Sequence, residues 1–264
     1  MVRNIFRNSS SKRSKYGRRY TAEFMIECMM LMIKSPKGYV HLRDRRFMPL
    51  PDPSRLKELY SSMPCSFGFS DLSLEKLKEK LDGLNLHDSF VVLMLDEISL
   101  LEKMSLDKQK LLVDGFVDYG LDDVIDSTPP GTPPRIAYHA LMFMVRSLKY
   151  GWIQPIAVFA TRGACPSKTL KTLIDKASAI LEPRNARLIA LISDGHRTNK
   201  SLWAAFGISG EQGRIKHWIP HSTVKGAKIF FISDVPHLMK CVRNHIWNKK
   251  TFYSGVHVCK LVRI

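Results

Sequence analysis

The stretch FVVLMLDE, residues 90–97, joins six apolar residues directly to two carboxylates. An apolar run of this length is too short for a helix in isolation and is typical of a buried strand. The stretch RLIALISD, residues 187–194, repeats the arrangement, and KIFFISD, residues 228–234, repeats it again. We therefore predict strands at residues 90–95, 187–193 and 228–233, which end in Asp96, Asp194 and Asp234 respectively, and the first two are expected to be buried.

The segments between these strands predict the other elements of an α/β domain. Residues 138–148 and 152–160 flank a turn at Gly151 and favour a hairpin, although a helix over 137–148 is the alternative. Helices are predicted at residues 167–181, 199–206 and 236–247. The order strand, hairpin, helix, strand, helix, strand, helix predicts a mixed sheet with flanking helices, which resembles the RNase H-like order.

Residues 20–62 predict a small all-α module in front of this domain. Thr21 begins a first helix that ends at Pro36, a second covers residues 37–46, and Ser54 caps a third over 55–62. Three short helices with basic flanks fit a helix-turn-helix DNA-binding module, and they fit a helical dimerisation or packing domain as well. The residues assigned to DNA contact are Arg18, Arg19, Lys37, Arg43, Arg45 and Arg46.

The charge of the chain is concentrated at its two ends. Its 264 residues carry a net charge of +17, and 45% of them are apolar, which excludes a disordered protein. Residues 1–60 hold fourteen Lys and Arg against five Asp and Glu, and residues 213–264 hold ten against one. Two basic ends around a near-neutral centre indicate a polyanionic partner, for which we expect double-stranded DNA.

The cysteine pattern and the N-terminal residues predict the cellular location. Five scattered cysteines without CxxC spacing indicate reduced thiols. The sequence shows neither a secretory signal nor a membrane-spanning run. We therefore expect no membrane partner. The basic run at residues 11–20 suits a nuclear address, and a solvated disordered tail is the equal alternative. We expect a nuclear protein.

Asp96 and Asp194 are the candidate catalytic and metal-binding residues. Carboxylates at the C-terminal ends of neighbouring strands lie where open α/β sheets place their sites. Their hard oxygen atoms suit Mg²⁺ or Mn²⁺, ions that assist attack and departure of oxygen in phosphodiester chemistry. Strand-terminal aspartates are also common as turn and cap residues. The glycines near Gly210 lack phosphate-loop spacing, and no CxxC partner supports a zinc site at His237 and Cys241.

Several segments together resemble the P-element transposase family, including its THAP-domain relatives. The segments are YTAEFMIECMMLMIKSPKGYVHLRDRRFMPLPDPSRLKEL (20–59), LMLDEISL (93–100), DGFVDYG (114–120), ALMFMVRSLKYGWIQPIAVF (140–159), ALISDGHRTNKSLW (190–203) and ISDVPHLMKCVRNHI (232–246). The resemblance runs from Tyr20 to about Asn248. It implies an RNase H-like core with a metal site of the DDE type, which a GTP-binding insertion domain interrupts.

The resemblance assigns roles to individual residues and boundaries to the domains. Asp96 matches the first catalytic aspartate and Asp194 the second, while Asp234 and Lys240 are candidates for guanine-nucleotide contact. Transposon ends are the implied DNA, and a homo-oligomer is left open. The expected organisation is a basic disordered tail at 1–19, the helix-turn-helix module at 20–62, a connecting helix at 63–88, an incomplete core at 89–227, and the last core strand with the start of the insertion domain at 228–264.

Two departures from the family leave open whether the chain is an enzyme. The family's third catalytic carboxylate lies beyond the insertion domain, whereas the sequence ends at Ile264, so we expect a truncated member. No Cys/His pattern of a zinc-binding THAP domain is present either. A domesticated, non-catalytic DNA-binding protein is the main alternative, and a nucleotide-regulated interaction protein is a third. A longer transcript that encodes the missing Glu would favour the enzyme.

Overall fold

The computed structural model describes residues 19–61, 66–107, 112–120, 134–194, 197–221, 224–249, 251–254 and 257–260. Residues 1–18 of the predicted tail at 1–19, with Arg18, lie outside the described residues. The chain divides into two compact units, Met1–Cys65 and Ser66–Ile264, and each is described by itself.

The described residues of the first unit, 19–61, contain three helices: α1 (Ala22–Lys34), α2 (Pro36–Asp44) and α3 (Pro53–Ser61). The Thr21 side chain caps α1 by accepting the Phe24 N–H, as predicted. Two helix starts differ from the prediction. Pro36 is the first residue of α2, since Ser35 caps that helix, and Asp52 rather than Ser54 accepts the first N–H of α3, at 2.9 Å. The core of this unit consists of Phe24, Cys28, Met29, Tyr39, Leu50 and Leu56.

A seven-stranded mixed sheet forms the centre of the second unit, in the order β1-β6-β5-β2-β7-β9-β8. Its strands are β1 (Gly68–Phe69), β2 (Phe90–Ser99), β5 (His139–Ser147), β6 (Ile153–Thr161), β7 (Arg187–Ser193), β8 (Trp218–Pro220) and β9 (Lys228–Ser233). The strands β2, β7 and β9 are parallel neighbours, and the other pairings are antiparallel. Two short hairpins lie outside the sheet: β3 (Ser105–Asp107) with β4 (Leu112–Asp114), and β10 (Thr251–Ser254) with β11 (His257–Lys260).

Helices flank this sheet and supply much of the core. They are α4 (Asp71–Leu81), α5 (Ser167–Leu181), α6 (Arg197–Ala205) and α7 (Val235–Lys249), with a 3-10 turn at Glu182–Arg184. Leu74, Leu77 and Leu81 of α4 are buried in one cluster with the apolar face of α5 and with the β2 side chains Val91, Leu93 and Leu95. The mixed sheet with flanking helices, behind an all-α module, confirms the predicted fold class. None of the helices in the described residues is long and apolar enough to cross a membrane.

The central strand β2 is longer than predicted. It continues past Asp96 to Ser99 because β5 pairs with it along its whole length, as far as Ser99 opposite His139. The prediction that the strand ends at Asp96 is therefore wrong. The parallel ladder with β7, in contrast, is recorded only as far as Met94 opposite Ile192. Asp96 consequently lies just beyond that ladder, where β2 is paired with β5 but no longer with β7.

Cys28, Cys165 and Cys241 are free thiols. Cys28 and Cys165 are buried, and Cys241 is exposed on α7. Burial raises the pKa of Cys28 to about 11 and that of Cys165 to about 12. Because the thiolate is the reactive form, these two buried thiols behave as core residues.

Candidate functional site

Parallel pairing brings Asp96 and Asp194 to the same edge of the sheet. Met94 of β2 lies opposite Ile192 of β7, and continuing this register by two residues places Asp96 opposite Asp194. Neighbouring strands lie about 4.8 Å apart. This register predicts that the two aspartates, which are distant in sequence, lie close together at that edge.

The alternation of side chains along a strand also predicts a common face for the two carboxylates. Asp96 lies on the face of Met94, and continuing the alternation of β7 by one residue past its end at Ser193 places Asp194 on the face of Ile192. Asp96 is exposed and Asp194 is half-buried. One oxygen of Asp96 accepts the backbone N–H of Glu97 at 2.9 Å. A carboxylate pair at a solvent-accessible strand edge has the oxygen chemistry that Mg²⁺ and Mn²⁺ prefer.

Helix α6 holds Asp194 through an amide that the sequence did not suggest. Asn199 Nδ2 donates a 2.7 Å hydrogen bond to Asp194 Oδ1. One helical turn later, Trp203 Nε1 donates to the Oγ of the buried Ser193 at 3.3 Å. Residues four apart lie on the same helix face, so two hydrogen bonds from this face of α6 hold it against the end of β7. The i, i+4 spacing of Asn199 and Trp203 was visible in the sequence, but nothing there showed which way that face points.

Replacing Asn199 tests this arrangement. We expect Asn199→Ala to reduce the free energy of unfolding by about 1–2 kcal/mol, because a half-buried carboxylate loses a charge-assisted donor. Asn248→Ala, at an exposed position of α7, is the matched control and should leave stability within about 0.5 kcal/mol. Urea denaturation measures both changes. Equal stability of the two variants would show that the Asn199 amide does not hold Asp194.

The third aspartate, Asp234, occupies the equivalent position on β9. Ser193 lies opposite Ser233, and the Asp234 N–H donates to the Ser193 carbonyl at 2.9 Å. The Asp234 carboxylate accepts the His237 N–H at 3.3 Å, which is the geometry of a helix cap for α7. Lys240 is exposed on the same helix. Asp234 therefore has a structural role that is independent of any nucleotide contact.

The described DNA-contact candidates of the first unit have different surroundings. Lys37 and Arg45 are exposed on one face of α2 and its C-cap, together with Pro36, Val40, His41 and Asp44. Arg43 differs because its guanidinium already pairs with Asp52 and, at 3.4 Å, with Asp44. Arg46 is exposed in a left-handed backbone conformation, φ 56°, two residues after the end of α2. Lys37, Arg45 and Arg46 are thus better placed for phosphate contact than Arg43.

No group of three or more His, Cys, Asp or Glu side chains that could hold a metal ion was found among the described residues. The candidates at this edge are the two carboxylates of Asp96 and Asp194. Such a pair can supply two oxygen ligands to one hard cation, whose remaining positions water or phosphate oxygens can fill.

Residues 65–207 match the family described as TNP-like, RNase H N-terminal domain. Among curated proteins, the chain is 27% identical over 273 residues to the Transposable element P transposase of Drosophila melanogaster, covering 98% of the chain and 32% of that protein. It is 23% identical over 255 residues to DNA transposase THAP9 of Homo sapiens, covering 93% of the chain and 27% of that protein. The chain thus spans about a third of these relatives' length.

A solved structure, the Drosophila P element transposase strand transfer complex, shares the fold. Its TM-score is 0.67 at 24% identity, and the match covers 97% of this chain and 50% of that chain. The family match includes β2, with Asp96, and β7, with Asp194. The chain therefore belongs to the TNP-like RNase H N-terminal domain family and, with these relatives, to the P-element transposase family.

Proposed function

We propose that the second unit forms part of the RNase H-like catalytic core of a DNA transposase, in which Asp96 and Asp194 share one divalent cation, Mg²⁺ or Mn²⁺. The register of the parallel β2–β7 pair carries this proposal, because it leads both carboxylates to one edge and one face. The family of the chain supports it. A cation held there supplies charge stabilisation for phosphodiester cleavage and strand transfer.

The chain's own residues have distinct tasks in this proposal. Asp194 is held by Asn199, so its carboxylate is oriented before any ion arrives. Asp96 is exposed and lies where β2 has left the β7 ladder, so solvent and a phosphate group can reach it. One preorganised carboxylate and one accessible carboxylate fit the requirements of a hard cation that keeps several water ligands.

A disulfide trap tests the proximity of the two aspartates. The double variant Asp96→Cys, Asp194→Cys in a Cys241→Ser background should form a disulfide under mild oxidation, because neighbouring in-register strands bring Cα atoms within the ~4.4–6.8 Å that a disulfide requires. The matched control pairs Asp96→Cys with Asp234→Cys, two strands apart at about 10 Å. Peptide mass spectrometry identifies the bonds. Crosslinking of the control but not of the Asp96–Asp194 pair would overturn the shared site.

We also propose that the first unit binds double-stranded DNA, with transposon ends as the target in an active element. The exposed Lys37, Arg45 and Arg46 and the net charge of the chain support this. Action on DNA implies a nuclear location, and the curated relatives are DNA transposases. We include a homo-oligomer among the partners.

A non-catalytic DNA-binding protein is the second candidate. The exposed basic residues of α2 favour it, since they could bind phosphate whether or not Asp96 and Asp194 hold a metal. The two functions differ in one measurable property. The transposase core requires a cation at the carboxylate pair, and the DNA-binding protein does not.

Guanine-nucleotide contact at Asp234 and Lys240 is the last part of the proposal. We expect GTP binding by this chain to be weaker than micromolar, because the Asp234 carboxylate already caps α7 and Lys240 lies on a helix without buried residues. An open surface leaves base and phosphates largely in water. Calorimetry measures the affinity, with Lys240→Ala as the site variant and Lys249→Ala, on the same helix, as the control. If the parent chain binds GTP at micromolar concentration and Lys240→Ala leaves this affinity unchanged, the nucleotide binds at a site other than Asp234 and Lys240.

A further inference from the structure

Helix α7 presents its apolar side chains to solvent. Helix α4 buries three leucines in the core of the second unit, whereas α7 buries none of its 15 residues. Its apolar residues recur every three or four positions, which places them on one face of the helix. This face, here called the α7 stripe, consists of Val235, Leu238, Met239, Val242 and Ile246. The first four are 59%, 51%, 61% and 45% exposed, so the described residues of the chain leave the stripe largely uncovered.

Trp247 extends the apolar surface of α7 beyond one face. It is 75% exposed. It follows Val235 by twelve positions, which at 3.6 residues per turn places it about 120° around the helix from Val235. A flat partner touches one side of a helix, so it could not cover both the α7 stripe and Trp247. A groove encloses a helix on several sides and can cover both.

The charges of α7 all have one sign. Lys240, Arg243 and Lys249 are exposed, and the helix contains no Asp or Glu. Residues 235–264 hold six Lys and Arg and no acidic residue. A basic helix with an apolar stripe requires a partner that is both acidic and apolar. A phosphate backbone would satisfy the charges but would leave the α7 stripe in water.

We propose that α7 binds in the acidic, methionine-rich groove of a Ca²⁺-loaded EF-hand protein. Such a groove opens when Ca²⁺ binds and accepts one amphipathic helix, whose apolar anchors lie at positions i, i+3, i+4 and i+7. Val235, Leu238, Met239 and Val242 have this spacing. Flexible methionine side chains in the groove can adapt to the bulk of Trp247. The α7 stripe does not include Asp96 or Asp194, and the inference does not depend on catalysis.

Calorimetric titration of the full chain with calmodulin, an EF-hand protein with such a groove, tests the surface. With Ca²⁺ the parent chain should bind with a Kd of about 1 μM or tighter, and chelation of Ca²⁺ should abolish binding because the groove closes. Leu238→Glu should weaken binding at least tenfold, since it brings a carboxylate into an apolar groove. Leu72→Glu is the matched control, because Leu72 is 74% exposed on α4, and it should leave the affinity unchanged.

Charge reversal tests the acidic character of the partner. Arg243→Glu should weaken binding about tenfold, whereas Lys78→Glu, at an exposed position of α4, should not. A parent chain that does not bind Ca²⁺-loaded calmodulin would overturn the proposal, and so would a Leu238→Glu variant that binds like the parent.

Two further measurements distinguish other occupants of the α7 stripe. If the parent binds phosphatidylserine vesicles through Leu238 but does not bind calmodulin, α7 lies on a membrane surface and the proposal is wrong. If Leu238→Glu lowers the melting temperature of the free chain, the stripe is covered within the chain itself, which also contradicts the proposal.

Discussion

Affinity of the full chain for duplex DNA is expected to fall about a hundredfold when salt rises from ~50 to ~200 mM, if about four Lys and Arg side chains contact phosphates. Each such contact releases a condensed counterion, so the logarithm of the affinity declines linearly with the logarithm of the salt concentration, with a slope near 0.9 per contact. Fluorescence anisotropy of a labelled duplex measures the slope. Equal affinity at both salt concentrations would contradict an electrostatic interface.

Two arginines of the first unit provide a matched pair for this experiment. Arg45 is exposed, so Arg45→Ala should reduce the salt slope by about one and leave the melting temperature unchanged. Arg43 pairs with Asp44 and Asp52, so Arg43→Ala should mainly lower stability, by about 0.5–1 kcal/mol, with little change of slope. If Arg43→Ala reduces the salt slope and Arg45→Ala does not, the DNA interface includes Arg43 and excludes Arg45.

The helix α5 and the strands β7 and β9 were predictable because their signal is local. Ser167–Leu181, Arg187–Ser193 and Lys228–Ser233 have the same bounds in the structure as in the prediction, since each is a run of apolar periodicity between polar or proline boundaries. The hairpin around Gly151 also forms, as β5 and β6. A fully buried strand needs apolar residues on both faces, and this requirement is directly visible in a sequence.

Features that depend on distant partners were not predictable in the same way. The extension of β2 past Asp96 is stabilised by β5, and its residues Asp96 to Ser99 are exposed, so they do not continue the buried apolar run that precedes them. The edge strand β8 is three residues long and forms only against β9. The Asn199–Asp194 hydrogen bond depends on how α6 folds back over β7. In each case the determinant is a contact between separate segments.

Asp96 and Asp194 were identified as candidates by the same local signal as the strands. Asp96 and Asp194 follow apolar runs, and parallel neighbours place their C-terminal ends at one edge. The sequence could not distinguish Asp234, which follows the third run in the same way but caps α7. That distinction comes from the hydrogen bonds of the folded chain.

Divalent cation should stabilise the second unit substantially. An ion present at about a hundred times its Kd stabilises the folded state by about 2.7 kcal/mol, provided that it does not bind the unfolded chain. For a unit of this size, such a gain raises the melting temperature by roughly 5–10 °C. Repulsion between two neighbouring carboxylates adds to the effect, because the ion removes it.

A melting-temperature titration with Mn²⁺ and Mg²⁺ tests the shared carboxylate site most directly. Asp96→Asn and Asp194→Asn should each remove most of the increase, since each leaves a single carboxylate at the edge, and both substitutions keep the size of the side chain. Asp234→Asn is the matched control, because Asn also caps helices and the variant should respond to the cation like the parent. An increase that survives in both Asp96→Asn and Asp194→Asn, or one that only Asp234→Asn removes, would contradict the account.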